Sequence, residues 1–82
     1  MMTPEQFFEI AFEHHQKGEI PEAQNLYQEI LTQDPHHAES LHLLGVIAFQ
    51  HKNYDKAIQL IEQAISIKPE EAPFHHNLAN VY

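Results

Sequence analysis

The chain has 82 residues, enough for one small domain but a marginal length for a single compact core. Its 12 acidic residues against 4 lysines and no arginine leave a net charge of -8, which repels phosphate backbones and anionic lipid and so argues against nucleic acid or membrane partners. Cysteine is absent, which excludes disulfides and thiolate chemistry and fits a reducing compartment. The longest apolar run, Leu43 to Phe49, is too short to span a bilayer. The opening MMTPEQFFEI lacks the basic start and apolar stretch of a secretory leader, so the cytoplasm is the expected location.

Thr3-Pro4-Glu5-Gln6 predicts a helix start, with Thr3 as cap, Pro4 in the first helical position and Gln6 closing a capping box. This helix is expected to run to about Gln16 and to end at Lys17-Gly18. Pro21-Glu22 opens a second helix with the apolar stripe Ala23, Leu26, Tyr27, Ile30 and Leu31. Asp34-Pro35 stops it, because proline biases the residue before it away from helical torsions.

A third helix, from about His37 to His51, has a stripe of Leu41, Leu43, Leu44, Val46, Ile47, Ala48 and Phe49, broad enough to predict cover on most sides. Asn53 breaks the chain, a fourth helix is expected over Tyr54 to Ile67, and Lys68-Pro69 ends it. A fifth helix is expected from about Glu70 to Tyr82. Glu5, Glu22, Glu39, Glu70 and Glu71 fall in first turns and Lys17, Lys52 and Lys68 in last turns, which suits the helix dipoles better than it argues for recognition.

The segment from Ala38 to Pro69 reads as a unit of which the rest is a copy. A shift of thirty-four residues maps Ala11 onto Gly45 and Ala79, Ala23 onto Ala57, Tyr27 onto Ile61, Pro35 onto Pro69, Ala38 onto Ala72 and Leu44 onto Leu78. Small residues recur where paired helix backbones come close, at Ala11, Gly45 and Ala79. Hairpins this short cannot hide both faces alone, so each needs its neighbour.

With Leu44-Gly45, Tyr54, Ala57, Ala64 and Pro69 in the middle unit, and Gly18, Ala23, Tyr27 and Pro35 in the first, the chain resembles the tetratricopeptide repeat (TPR) family throughout. The resemblance implies an all-α fold: a right-handed α-solenoid of antiparallel helix-turn-helix repeats. One domain over 1-82 is expected, with repeat one at 4-37, repeat two at 38-71 and a partial repeat three at 72-82. It also implies that the first helix of each hairpin lines a concave face that holds a peptide or partner protein. By the thirty-four-residue register that lining is Glu5, Phe8, Phe12 and His15, then Glu39, His42, Val46 and Phe49, then Pro73, His76 and Asn80, and Asn77 is expected to join it.

An aromatic and histidine groove with acidic edges suits an apolar or basic peptide. Phe8 and Phe12 equally suit packing between helices against Val46 and Phe49, and both placements stay open at this point. The places where chaperone-binding members carry cations to clamp a C-terminal carboxylate hold Phe8, Phe12, Leu43, Pro73 and Asn77 here, so heat-shock chaperone tails are poor partners. Asn77-Leu78-Ala79-Asn80-Val81-Tyr82 is similar to repeats that precede O-linked N-acetylglucosamine transferases. That likeness implies a backbone-gripping role for Asn77 and, as an alternative function, the N-terminal segment of a larger transferase.

No constellation for catalysis is evident: Ser40 and Ser66 lack a nucleophile setting and no glycine-rich phosphate loop exists, so no enzyme activity, cofactor or metal is expected. Histidine is abundant, with 8 residues, and His42 and His76 occupy equivalent places that suggest an approach across one surface. Polar filler at half-exposed positions is preferred to a zinc or nickel site or a pH sensor. Leu78, Val81 and Tyr82 have no sixth helix to cover them, which leads to the expectation of a longer parent chain or of a homodimer through the fifth helix.

Overall fold

The computed structural model describes residues 1-82 and contains five helices: α1 Pro4–Gln16, α2 Ile20–Gln33, α3 Ala38–Gln50, α4 Tyr54–Ile67 and α5 Ala72–Val81. Consecutive helices pack on one another, and α3 also reaches α5. The result is a right-handed α-solenoid of two hairpins and a fifth helix.

Local chemistry explains the boundaries. The Thr3 side chain accepts from the Gln6 backbone N–H at 3.2 Å, and Gln6 Oε1 accepts from the Thr3 N–H at 2.8 Å, so the capping box forms. Gly18 turns the chain out of α1 at φ 80, in the left-handed region where glycine meets no Cβ penalty. The equivalent residue after α3 is Lys52, at φ 62 without that relief. Two starts fall later than the sequence suggests. α3 begins at Ala38 because His37 caps it through its ring, and α5 begins at Ala72, with Glu71 as a cap that makes no side-chain bond.

Two apolar clusters hold the stack, and each joins three helices. Ala11, Ala23, Tyr27, Ile30, Leu44 and Ile47 unite α1, α2 and α3. Ala38, Leu41, Ala64 and Phe74 unite α3, α4 and α5. Burying a side chain of leucine or isoleucine size is worth about 1.5–3 kcal/mol, so much of each hairpin's stability is lent by the next helix. α3 contributes to both clusters, as its broad stripe predicts.

The close approach at Gly45 is real. A Cβ there would lie 2.6 Å from Ile61 Cγ1 and 3.2 Å from the Ala57 carbonyl oxygen. Ala11 is fully buried at the matching point of the first hairpin, whereas Ala79 faces no second helix and is exposed.

Candidate functional site

The face built by α1, α3 and α5 carries the aromatic and histidine side chains singled out in the sequence, and the structure divides them. On α1, the Phe8 and Phe12 rings stack with centroids 6.1 Å apart and planes 10° apart. Phe8 is half-buried, packing on the first core cluster, with Tyr27 at 5.8 Å and His37 at 5.3 Å between ring centroids. Phe12 is 40% exposed. Phe8 therefore packs on the core while part of its ring stays open, and Phe12 lies on the exposed surface.

His15 is half-buried, its Nδ1 in a hydrogen bond with the Tyr27 hydroxyl at 3.2 Å. Burial pushes the Tyr27 hydroxyl up to about 12 and lowers the pKa of His15, since both charged forms lose water. Both groups of this hydrogen bond are therefore uncharged at neutral pH.

The second group lies between α3 and α5. His42 is buried, at 7% exposure, and its ring lies 4.5 Å from that of Phe74. Asn77 Nδ2 donates to His42 Nε2 at 2.7 Å. Burial lowers the pKa of His42 against the opposing pull of the Glu39 carboxylate. Two expectations are corrected here. His42 is sealed beneath Phe74 rather than lining an open groove, and the residue that meets it is Asn77, not His76, which stays exposed. The amide expected to grip a peptide is partly committed inside the chain.

Val46, Phe49, Asn77, Asn80 and Val81 rim a small crevice of about 50 Å³ with Ile61 at its base. Phe49 also stands 5.7 Å from the Tyr54 ring. His76 and Asn80 are exposed, Val46, Phe49, Leu78 and Val81 are half-buried, and Tyr82 is 79% exposed.

A larger cleft of about 440 Å³ opens where α1 and α3 begin and α2 and α4 end. Its lining includes Glu5, Phe8, Glu9, Asp34, His37 and Glu39. Lys68 Nζ donates to Glu39 Oε2 at 2.6 Å, tying the end of α4 to the start of α3. Burial resists ionisation of Glu39, yet the Lys68 ammonium and the helix-start amide hold its carboxyl below the usual carboxylate range.

Sequence reasoning missed His37, Phe74 and the bridge from Lys68. Phe74 had no sequence signal, since the thirty-four-residue shift maps it onto Ser40, a polar residue whose full burial only the structure shows. His37 had none, because its Nδ1 accepts from the Ser40 hydroxyl at 2.8 Å and the Ser40 N–H at 3.3 Å, a cap more often supplied by serine, threonine or aspartate. No group of three or more histidine, aspartate or glutamate side chains is placed to hold a metal ion. No helix is long and apolar enough to cross a membrane.

Paired antiparallel helices sharing cores with the next helix in line define a helical-repeat protein. The family model of the tetratricopeptide repeat matches residues 14–81. A UDP-N-acetylglucosamine–peptide N-acetylglucosaminyltransferase of Caenorhabditis elegans is 34% identical over 74 residues, covering 90% of this chain and 6% of that protein. The TPR repeat-containing protein YpiA of Bacillus subtilis is 34% identical over 65 residues, covering 79% of this chain and 15% of that one. Among solved structures, a mutant O-GlcNAc transferase of Thermobaculum terrenum superposes with a TM-score of 0.93 at 30% identity, covering 99% of this chain and 16% of that chain. The chain belongs to the tetratricopeptide repeat family and is a repeat module, a scaffold for protein interaction. It spans only a small part of the relatives it matches.

Proposed function

We propose that the module binds a peptide or partner protein on the face made by α1, α3 and α5, and that it performs no catalysis of its own. One observation carries this reading: that face holds the exposed Phe12 ring and the half-buried Phe8 and Phe49, with a recess beside each of the latter two. Aromatic side chains that are partly open and rigidly backed are the usual anchors of an interface. A peptide-library selection against the chain tests it. Selected ligands should lose binding in Phe12→Ser, which leaves the core intact, and keep it in Gln59→Ala on the exposed side of α4. Ligands indifferent to Phe12 and sensitive to Gln59 would sink the proposal.

A second reading is favoured by the transferase relatives. In it the residues 1-82 form one domain, with repeats at 4-37, 38-71 and 72-82, that selects targets for a larger transferase. An open reading frame running past Tyr82 into a catalytic domain supports it, and a stop codon there ends it. Self-association through Leu78, Val81 and Tyr82 is a third role, for which sedimentation at high concentration is the check: a purely monomeric mass removes it. The cytoplasm is the compartment proposed, on the cysteine-free composition.

A further inference from the structure

The cleft at the shared end of α1 and α3 has a composition unlike the rest of the binding face. Its lining is aromatic at Phe8 and His37, whose ring centroids lie 5.3 Å apart. Its walls are acidic. Glu5 and Glu9 project from successive turns of α1, Asp34 comes from the end of α2 and Glu39 from the start of α3. Lys68 is the only lysine on the lining and is already bonded to Glu39 at 2.6 Å. Asp34 Oδ1 accepts from the His36 backbone N–H at 3.2 Å, and Glu5 and Glu9 form no ion pair.

Helix dipoles do not account for this charge. The starts of α1 and α3 each carry roughly half a positive charge, but the ends of α2 and α4 at the same cleft each carry roughly half a negative one, so the four helix ends about cancel. Lys68 offsets one carboxylate of the four. About three negative charges remain beside a phenylalanine face, in a chain whose overall charge is -8.

We propose that this cleft receives an arginine side chain of the bound polypeptide, its guanidinium stacked on Phe8 and forked to Glu5 and Glu9. The inference rests on the proposed role of the α1, α3 and α5 face and names the chemistry of its ligand. Arginine fits better than lysine because its planar cation stacks on an aromatic ring and offers paired N–H donors to carboxylates. An acidic or neutral segment has no complement at this end of the face.

The test is an amide chemical-shift titration of the whole chain with a capped heptapeptide of alanines carrying two arginines, beside analogues with lysine and with citrulline, the neutral isostere. The arginine peptide should move the amides of residues 5-9 and 34-39, bind several-fold tighter than the lysine peptide, and weaken as salt rises. The citrulline peptide should leave those amides still. The exposed pair Glu5→Gln with Glu9→Gln should weaken the arginine peptide about fivefold. Phe8→Leu, which keeps the apolar volume, should weaken it about threefold with the amide spectrum otherwise folded. Equal shifts from citrulline, insensitivity to both variants, or no shift at millimolar arginine peptide overturn the inference. Shifts confined to residues 46-50 and 77-81 also overturn it, while leaving the binding face itself in place. Shifts confined to α2 and α4 would remove both.

Discussion

Helices α3 and α5 occupy the same place in successive hairpins, and their fates differ. α3 buries Ala38, Ser40, Leu41, His42, Leu44, Gly45 and Ile47, whereas α5 buries only Phe74. Position for position, Ala38 is buried and Ala72 exposed, Gly45 is buried and Ala79 exposed, and His42 is at 7% while His76 is open. Similar residues at equivalent points therefore do not share one environment. What α3 has and α5 lacks is a helix on each side, so burial in this fold belongs to the neighbourhood rather than to the residue.

Substitutions at equivalent points break or sharpen that contrast, and the largest effect should come from leucine. Leu44→Ala, in the first core cluster, should cost about 3 kcal/mol by urea unfolding, whereas Leu78→Ala should cost about 1 kcal/mol. Equal losses would mean that α5 is held as firmly as α3. Next comes Gly45→Val, whose Cβ meets Ile61 Cγ1 at 2.6 Å and the Ala57 carbonyl, and which should destabilise by about 2 kcal/mol. Ala79→Val, on the exposed face, should cost about 0.6 kcal/mol, the difference in helix propensity.

A smaller effect is expected from pH. Burial lowers the pKa of both His42 and His15 from the ordinary 6.5, so the unfolded chain binds protons more readily than the folded one. Their contribution is undiminished above 6.5, falls as pH drops through that value, and levels off below the folded pKa. Glu39 acts later. Its carboxyl is held below the ordinary 4.5, so the stability it lends is present above that value and is lost as pH falls through its folded pKa. Urea midpoints measured from pH 8 to 4 should therefore decline below about 6.5, and His42→Leu should flatten the first part of the decline.

The smallest change should be a gain. Lys52 adopts φ 62 where the first hairpin has Gly18 at φ 80, so Lys52→Gly should stabilise by about 0.5–1 kcal/mol in the same unfolding assay.

Much of the architecture was legible in the sequence because its causes are local. Thr3 and Gln6 cap α1, Gly18 ends it, Pro35 and Pro69 separate hairpins, and Gly45 marks a contact that a larger side chain enters only if Ile61 shifts. The proposed binding face was legible as a list but not as geometry. His42 bonds Asn77, thirty-five residues away, because side chains between hairpins meet one place off the repeat register that suggested His76. Lys68 reaches Glu39 across twenty-nine residues, and the cleft beside them is formed by the ends of four helices at once. Neither periodicity nor spacing encodes a side chain's reach across such a junction.

Native-state hydrogen exchange is the most direct measure of whether hairpins lend one another their stability. Amides of α3 should exchange slowest, near the free energy of global unfolding, while those of α5 should open separately at a clearly lower free energy. If α5 amides in a dilute monomer are as protected as those of α3, the neighbour-dependent account of this fold is wrong.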